Sequence, residues 1–311
     1  MGNNFANTDG SMSERSAAYY EARAKGGFGL ITIESTVVYK QAKGGPRKPC
    51  LFSDEVVPSF KRVADACHAY GAKVSIQLQH AGPEGNSKLT GYPLKAASAI
   101  APSAGREIPE AMPTEEVYRL IECYGDAARR AQLAGIDMVE VHCAHGYLVS
   151  TFISARTNKR TDEFGGCFEN RMRLPRLIIE NIRKKTGGNM PILCRINARD
   201  EGDGGVDVHD AAAIAAYLEQ VCGVDAIHVT RSIHIHDEFM WAPEHHHWQL
   251  QRRARRRDKK GRVRPRHPCG PLHGAAVRGA AGEAGPRGPH RLRPPEHSRP
   301  RAAEQGEERP A

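Results

Sequence analysis

Two histidines and a tyrosine follow one another closely where an apolar run of the sequence ends. The stretch "VHCAHGYL" (141–148) contains His142, His145 and Tyr147 and directly follows the run "GIDMVE". Two imidazole N–H groups can hold an oxygen on which negative charge develops, and a phenol can deliver a proton. This set of residues therefore suits the reduction of a double bond that lies beside a carbonyl group.

Two other interpretations of the stretch start from the same residues. A zinc site would use both imidazoles, but the histidines are not spaced at i and i+4 on a helix, and no acidic third ligand lies near them in the sequence. We therefore predict no metal site. A packed core would explain the apolar neighbours, but it does not account for three rings with polar tips at the end of a strand.

Strands and helices alternate along the first 250 residues. Apolar runs predict strands at 28–35, 72–80, 136–142, 191–198 and 225–230, and amphipathic stretches predict helices at 54–70, 114–135, 169–187 and 207–223. In the longest helix, Thr114 is the predicted N-cap and Gly135 the predicted stop. Repeated strand–helix units indicate an α/β fold with a parallel sheet, and near-continuous apolar strands indicate a sheet covered on both faces.

Two layouts fit this alternation, an open doubly wound sheet and a (β/α)8 TIM barrel. No strand is followed by the GxGxxG motif, which disfavours the dinucleotide-binding sheet. Polar residues instead follow successive strands, where a barrel keeps its active site. These residues are Glu34, Gln77 with His80, His142 with His145, Arg195, and the histidines after Thr230.

Charge and composition change near residue 250. Residues 251–311 hold 17 Lys and Arg against 6 Asp and Glu, whereas the first 250 residues hold 28 against 30, so the net charge of +9 belongs to the tail. The tail contains no Ile, Met, Phe, Tyr or Trp and cannot bury enough apolar surface to fold. We predict a folded domain at 1–250 and a basic, low-complexity, disordered tail at 251–311.

Several features of the sequence bear on where the protein works. No apolar run approaches the roughly 18 residues of a membrane span, and no secretory signal is recognisable at the N-terminus. The eight cysteines form no CxxC pair, which argues against zinc ribbons and iron–sulfur motifs. Scattered free thiols are typical of a reducing compartment, so we predict a cytoplasmic protein without a membrane partner.

The longest specific motif is "VEVHCAHGYLVSTFISARTNKRTDEFGGCFENRMR" (139–173). It resembles the signature of the Old Yellow Enzyme or NADH:flavin oxidoreductase family, and in particular the branch that includes 2,4-dienoyl-CoA reductase. Further matches lie in register at 18–34, 76–82 and 194–202. The resemblance covers about residues 1–250 and implies a TIM barrel that holds FMN at its C-terminal mouth, with NADH or NADPH as reductant.

The resemblance also implies roles for individual residues. His142 and His145 match the pair that binds the electron-withdrawing oxygen of the substrate, and Tyr147 matches the tyrosine that protonates the carbon next to it. For the cofactor, the implied contacts include Gln77 at the flavin pyrimidine edge and Arg195 near flavin N1. Ser35 and Gly2 match positions where small residues let the backbone approach the ring. Met1 matches a methionine that follows the first strand. The run "TNKRTDEFGG" (157–166) is expected to shape a loop rather than take part in catalysis.

The implied function is FMN-dependent reduction of an activated C=C bond in an enone, enoate or dienoyl-type substrate, and the segment 83–113 is the predicted specificity loop. Family members carry residues before Met1 and a seventh and eighth strand, so we expect an incomplete barrel, produced by a late start and a frameshift near residue 250. Three alternatives remain: an inactive remnant, an amine dehydrogenase, and a protein whose basic tail binds nucleic acid. The tail lacks the aromatic residues that stack on bases.

Overall fold

Five parallel strands form the central sheet of the chain. The computed structural model describes residues 2–200, 203–231 and 233. In chain order the elements are α1 (Glu14–Lys25), β1 (Leu30–Val37), α2 (Val57–His68), β2 (Lys73–Gln79), α3 (Ser87–Thr90), β3 (Lys95–Ala96), β4 (Glu110–Ala111), α4 (Thr114–Leu133), β5 (Met138–Cys143), α5 (Leu148–Ile153), α6 (Phe168–Arg171), α7 (Arg173–Lys185), β6 (Ile192–Asn197), α8 (Val208–Gln220) and β7 (Ala226–Thr230).

The order of the strands decides between the two layouts. The sheet runs β1-β2-β5-β6-β7, so each strand pairs in parallel with the next strand of the sheet along the chain. A doubly wound sheet reverses its strand order at a switch point, whereas a TIM barrel does not. No reversal occurs within the described residues, and the sheet has the topology of a (β/α) barrel. The predicted tail at 251–311 lies outside the described residues.

The two faces of the sheet differ in chemistry. On β2 and β5 the residues Val74, Ile76, Val139 and Val141 are fully buried in the core that the strands share with the helices. The alternate residues form the other face, which we call the inner face, and most of them are polar, apart from Met138, Leu193 and Ala226. The polar residues are Ser75, Gln77 and Gln79 on β2, Glu140 and His142 on β5, Arg195 and Asn197 on β6, and His228 and Thr230 on β7.

This difference corrects one sequence prediction. Near-continuous apolar runs suggest coverage of both faces, but the residues of β7 are exposed or half-buried, and on β2 and β5 only the face toward the helices is apolar. The period of two in "KVSIQLQ" already contains both faces, since successive side chains of a strand point to opposite sides. Six polar side chains are buried on the inner face, and such groups need hydrogen-bond partners: Ser75, Gln77, Gln79, Glu140, His142 and Asn197.

The long helices lie where the sequence predicts them, with two corrections at their ends. Thr114 is the first residue of α4 rather than its cap, because Pro113 precedes the helix and the Thr114 hydroxyl donates to Asp162 Oδ2 at 2.7 Å. The stop at Gly135 is confirmed by its φ of +75°. The predicted helix at 169–187 is divided at Met172 into α6 and α7.

Sequence patterns did not predict α1, which precedes β1. Ser13 caps this helix by accepting the backbone N–H of Ser16, and one side of the helix buries Ala17, Tyr20 and Ala24. The hydroxyl of Tyr20 accepts the backbone N–H of Glu34 at 2.9 Å, which connects α1 to the middle of β1.

The loop "TNKRTDEFGG" is held by hydrogen bonds and ion pairs. The Arg160 guanidinium pairs with Asp162 and donates to the backbone carbonyl oxygens of Ala97 and Met112 at 3.2 and 2.6 Å. These contacts lower the pKa of Asp162 to about 2, chiefly through the hydrogen bond from Arg160. The loop therefore joins α4, the segment before it and the chain after α5, as expected for a structural role.

Candidate active site

The turn after β5 brings together the three residues whose spacing suggested chemistry. His142 and His145 are buried and Tyr147 is half-buried at the start of α5. The ring centroids of His142 and Tyr147 are 4.8 Å apart, and those of His142 and His145 are 5.1 Å apart, both with edge-to-face geometry. The structure thus places two imidazoles and a phenol around one point at the carboxyl end of the sheet.

Hydrogen bonds order the two imidazoles. His142 Nδ1 accepts the backbone N–H of Ala144 at 3.3 Å, so a neutral His142 carries its proton on Nε2. That Nε2 lies 3.3 Å from His145 Nδ1, and His145 Nε2 lies 3.0 Å from Thr230 Oγ1. When both imidazoles are neutral, their N–H groups therefore point along the series His142, His145, Thr230.

The backbone of His145 adopts a left-handed conformation with a φ of +63°. Asn197 supports it, because its Oδ1 accepts the backbone N–H of His145 at 3.3 Å. Asp200 Oδ1 in turn accepts from Asn197 Nδ2 at 2.6 Å. Burial raises the pKa of Asp200 above its ordinary value, although the hydrogen bonds from Asn197 and Val206 oppose this.

A buried carboxylate, Glu140, lies beneath the histidines on the same strand. Its side chain accepts from Gln77 Nε2 at 2.5 Å and from His228 Nδ1 at 2.7 Å. Burial raises the pKa of Glu140, but the hydrogen bonds from His228 and Gln77 and the charge of Arg195 outweigh it, and the pKa lies below its ordinary value. Gln77 Oε1 is buried and has no hydrogen-bond partner within the described part of the chain.

Arg195 stands beside this carboxylate on β6. Its Nη2 donates to Thr230 Oγ1 at 3.3 Å, so Arg195 and His145 meet at the same hydroxyl. Burial lowers the pKa of Arg195, while Glu140 and Tyr147 oppose the shift, and a guanidinium stays charged at neutral pH. Arg195 Nε is buried without a partner among residues that the structure describes.

The residues predicted beside the ring of a cofactor gather around Lys48. Ser35 is buried at an irregularity in the pairing of β1 with β2, and Lys48 Nζ lies 3.5 Å from Ser35 Oγ and 3.5 Å from Glu34 Oε2. A Cβ atom at Gly2 would collide with Lys48 Nζ, so any larger residue there would displace the end of the lysine side chain. Met1 lies outside the described residues.

A pocket opens next to the histidine turn on the side of the predicted specificity loop. Gly146 and Ile233 line its inner end, and Ser154, Arg156 and Asp200 line its wall. The loop contributes Pro83, Glu84, Ala96, Ser98, Ile100, Ala101 and Pro102. The segment 83–113 therefore borders a pocket that Gly146 also lines, and its role in substrate selection stays a prediction.

Four polar residues of this site were not singled out from the sequence. Glu140 had a signal, because it lies two residues before His142 in an otherwise apolar strand and so shares its face. No sequence signal singled out the other three residues, Lys48, Asn197 and Thr230. Their contacts in the site depend on which strands and loops pack together in the fold.

The histidines of the site do not form part of a metal-binding cluster in the described part of the chain. Within residues 2–200, 203–231 and 233, no group of three or more His, Cys, Asp and Glu side chains is placed to hold a metal ion.

Residues 1–264 match the model of the NADH:flavin oxidoreductase / NADH oxidase family. The chain belongs to this family. It is 40% identical over 236 residues to NADH oxidase of Thermoanaerobacter brockii, covering 75% of this chain and 36% of that protein. It is 39% identical over 219 residues to NADPH dehydrogenase of Halalkalibacterium halodurans, and the match covers 70% of this chain and 63% of that protein. The chain thus spans less than two thirds of the length of both relatives.

Solved structures agree with the family assignment and the barrel. The structure of 2-naphthoyl-CoA reductase with 2-naphthoyl-CoA superposes with a TM-score of 0.72 at 31% identity, covering 75% of this chain and 38% of that one. The Old Yellow Enzyme homologue of Zymomonas mobilis superposes with a TM-score of 0.66 at 31% identity, covering 73% and 66%. The predicted family and barrel are confirmed, and the narrower 2,4-dienoyl-CoA reductase branch stays a prediction.

The NADH:flavin oxidoreductase family uses FMN and a reduced nicotinamide cofactor. The inner face fits the pyrimidine edge of such a flavin, which offers one N–H donor between two carbonyl acceptors. Gln77 Oε1 is a buried acceptor and Arg195 Nε a buried donor, and both lack partners in the described parts of the chain. Unpaired buried polar atoms are costly, and a bound ring with complementary edges would satisfy them.

Proposed function

We propose that this chain carries the catalytic site of an FMN-dependent NAD(P)H oxidoreductase that reduces activated C=C bonds. One observation carries the proposal: Arg195 and His145 share the Thr230 hydroxyl. The groups suited to a flavin edge and those suited to a substrate oxygen therefore belong to one hydrogen-bonded set. The chemistry that FMN supplies when bound is hydride transfer from NAD(P)H to an activated double bond.

On the cofactor side, the chain's own residues bind the flavin ring and orient it. Gln77 offers an acceptor and Arg195 a fixed cation on the inner face of the sheet, while Ser35 and Gly2 leave room next to Lys48. A fixed cation stabilises negative charge that develops nearby. Met1 is part of the predicted cofactor set, although it lies outside the described residues.

On the substrate side, His142 and His145 hold the carbonyl oxygen of the activating group. The oxygen accepts the N–H that His142 directs at His145 across 3.3 Å in the free protein. Tyr147 lies within edge contact of both rings, with its ring centroid 4.8 Å from that of His142 and 6.3 Å from that of His145. It donates its phenolic proton to the carbon next to the carbonyl group.

The pocket beside this turn offers room for a substrate next to the histidines. We propose an enone, enoate or acyl-thioester with a conjugated double bond, entering past the segment 83–113. One structural neighbour binds 2-naphthoyl-CoA and another is named morphinone reductase, and both names describe conjugated carbonyl compounds. The comparisons do not favour an amine dehydrogenase, an inactive remnant or a nucleic-acid-binding protein.

We also keep the cytoplasm as the proposed location. All seven cysteines of the described residues are free, which suits a reducing compartment. None of the helices described is long and apolar enough to cross a membrane.

The test uses the chain purified in the presence of FMN and then desalted. We expect a retained flavin spectrum that NADH or NADPH bleaches and that 2-cyclohexenone restores. Tyr147→Phe removes the proton donor, so the rate of recovery with enone should fall by about 10²- to 10⁴-fold while bleaching is unchanged. Tyr118→Phe, which removes a half-exposed phenol that donates to Glu163, is the matched control. A colourless protein, or equal recovery rates in wild type and Tyr147→Phe, contradicts the proposal.

A further inference from the structure

The carboxylate of Glu140 has no task in the proposed chemistry, yet it is among the most buried charged groups of the described chain. Its residue is 1% exposed, and its two oxygens take one hydrogen bond each, from Gln77 and from His228. Gln77 is its direct partner on the neighbouring strand β2, whereas His228 reaches it across β6 from β7. Glu140 on β5 is therefore hydrogen-bonded to β2 through Gln77 and to β7 through His228.

The charge of Glu140 determines which way the Gln77 amide points. The pKa of Glu140 lies below its ordinary value because the hydrogen bonds and the charge of Arg195 outweigh burial, so the group is ionised at neutral pH. An ionised carboxylate only accepts hydrogen bonds. The Gln77 amide must therefore turn its Nε2 toward Glu140, and this Nε2 lies 2.5 Å from Glu140 Oε1.

The other end of the same amide is then left as an acceptor. Gln77 Oε1 is buried and without a partner among the described residues. A flavin ring presents an N–H donor between two carbonyl groups on its pyrimidine edge, and such a donor needs an oxygen. If the amide were reversed, a nitrogen would meet the N–H and two donors would face each other.

We propose that Glu140 is a positioning residue that fixes the Gln77 amide so that its oxygen accepts the N–H of a bound flavin ring. The inference rests on the proposed function, because it assumes that FMN occupies the inner face. Glu140 touches neither the cofactor nor the substrate and acts through Gln77.

A double-mutant cycle separates this role from a purely structural one. Glu140→Gln keeps the size of the side chain but gives residue 140 an amide that both donates and accepts, so Gln77 loses its single orientation. We expect the Kd of FMN to rise by up to about tenfold, as for the loss of one hydrogen bond between uncharged groups, here the Gln77 amide oxygen and the flavin N–H. In a Gln77→Leu background the same change should alter the Kd by less than about twofold.

The affinities are measured by quenching of FMN fluorescence on titration with the apoprotein. Glu116→Gln is the matched control, since Glu116 on α4 is also a buried carboxylate but pairs with Lys95 at 3.5 Å. Additive effects of Glu140→Gln and Gln77→Leu, or an unchanged Kd in Glu140→Gln, overturn the inference alone. A wild-type chain that binds no FMN overturns the proposed function and the inference with it.

A second measurement leaves Glu140 in place, in case its substitution prevents folding. An FMN analogue methylated at the N–H of the pyrimidine edge has no proton for Gln77 Oε1. Wild type should prefer FMN over the analogue about tenfold more strongly than Gln77→Leu does, because both side chains occupy similar space and only the amide accepts a hydrogen bond. Equal preferences in the two proteins would show that Gln77 does not present its oxygen to that edge.

Discussion

At the residue scale, His145 adopts a backbone conformation that a histidine rarely takes without support. Its φ of +63° costs about 1–2 kcal/mol relative to ordinary conformations. The hydrogen bond from its N–H to Asn197 Oδ1, and the bond from Asn197 to Asp200, hold the turn in place. The orientation of the imidazole toward Thr230 depends on this support.

We therefore expect Asn197→Ala to impair catalysis without removing the cofactor. Loss of the acceptor for a buried backbone N–H costs about 1–3 kcal/mol, and we predict a fall of about tenfold in kcat/KM for an enone. Steady-state kinetics and the FMN content after desalting measure the two effects. Asn181→Ala, which truncates an asparagine that donates to Glu122 between α7 and α4, should leave kcat/KM within about twofold. Equal losses in both variants would mean that general destabilisation is the cause.

The sequence predicted the proximity of the candidate catalytic residues better than it predicted the residues that support them. His142, His145 and Tyr147 lie within eight residues of one another, so their proximity follows from local structure alone. Glu140 and Asn197 act through bonds that cross from one strand to another. Such hydrogen bonds depend on the register between neighbouring strands, and a local sequence pattern does not predict that register.

At the element scale, Gly82 controls how the loop after β2 meets the start of α5. Its φ is +61°, and a Cβ atom there would lie 2.6 Å from Leu148 N and 2.8 Å from Leu148 Cα. Leu148 follows Tyr147, and its N–H donates to the backbone oxygen of His80 at 3.2 Å. The close approach of these two backbones therefore sets the position of the proposed proton donor.

Gly82→Ala should combine backbone strain with a collision, and Gly71→Ala measures the strain alone. Gly71 has a φ of +76° but open space where a Cβ would stand. Each variant should lose about 1–2 kcal/mol of unfolding free energy from the conformation, and Gly82→Ala should lose a further 1–3 kcal/mol or so. Urea denaturation gives both values. If the two variants lose the same unfolding free energy, α5 can shift away from residue 82 at no free-energy cost. The loop after β2 then does not position α5.

The elements themselves were largely predictable. All five strands of the central sheet and four long helical segments were expected within a few residues of their observed bounds, because apolar periodicity is a local property. The break at Met172 and the start of α4 at Thr114 were not predicted, since both depend on contacts with distant residues. The helix α1 was not predicted, because its apolar face is narrow.

At the scale of the whole molecule, the stability of the fold should depend on pH through His80. This histidine follows β2 and is buried against Tyr39, with ring centroids 5.7 Å apart. Its Nδ1 accepts the N–H of Gly82 at 3.0 Å, and its Nε2 has no partner among the residues described. Burial lowers its pKa to about 3, because a proton would place a charge in this enclosed position.

The sign of the dependence follows from the difference between the two states. An unfolded histidine titrates near pH 6.5, so between about pH 6.5 and 3 the unfolded chain binds a proton that the folded chain does not. The stabilisation from a neutral His80 is fully present above about pH 6.5 and is lost as the pH falls through this window, by up to about 1.4 kcal/mol per pH unit.

His80→Gln isolates this contribution, because its amide oxygen can still accept the N–H of Gly82 but does not titrate. Urea denaturation at several values between about pH 6 and 4 should give a steeper loss of unfolding free energy for wild type than for the variant. Carboxylates such as Asp162, whose pKa is lowered to about 2, contribute equally to both proteins and cancel in the difference. Parallel curves would mean that His80 is accessible to protons in the folded chain. A steeper wild-type curve would show that the folded chain keeps His80 neutral through this pH range, as its burial requires.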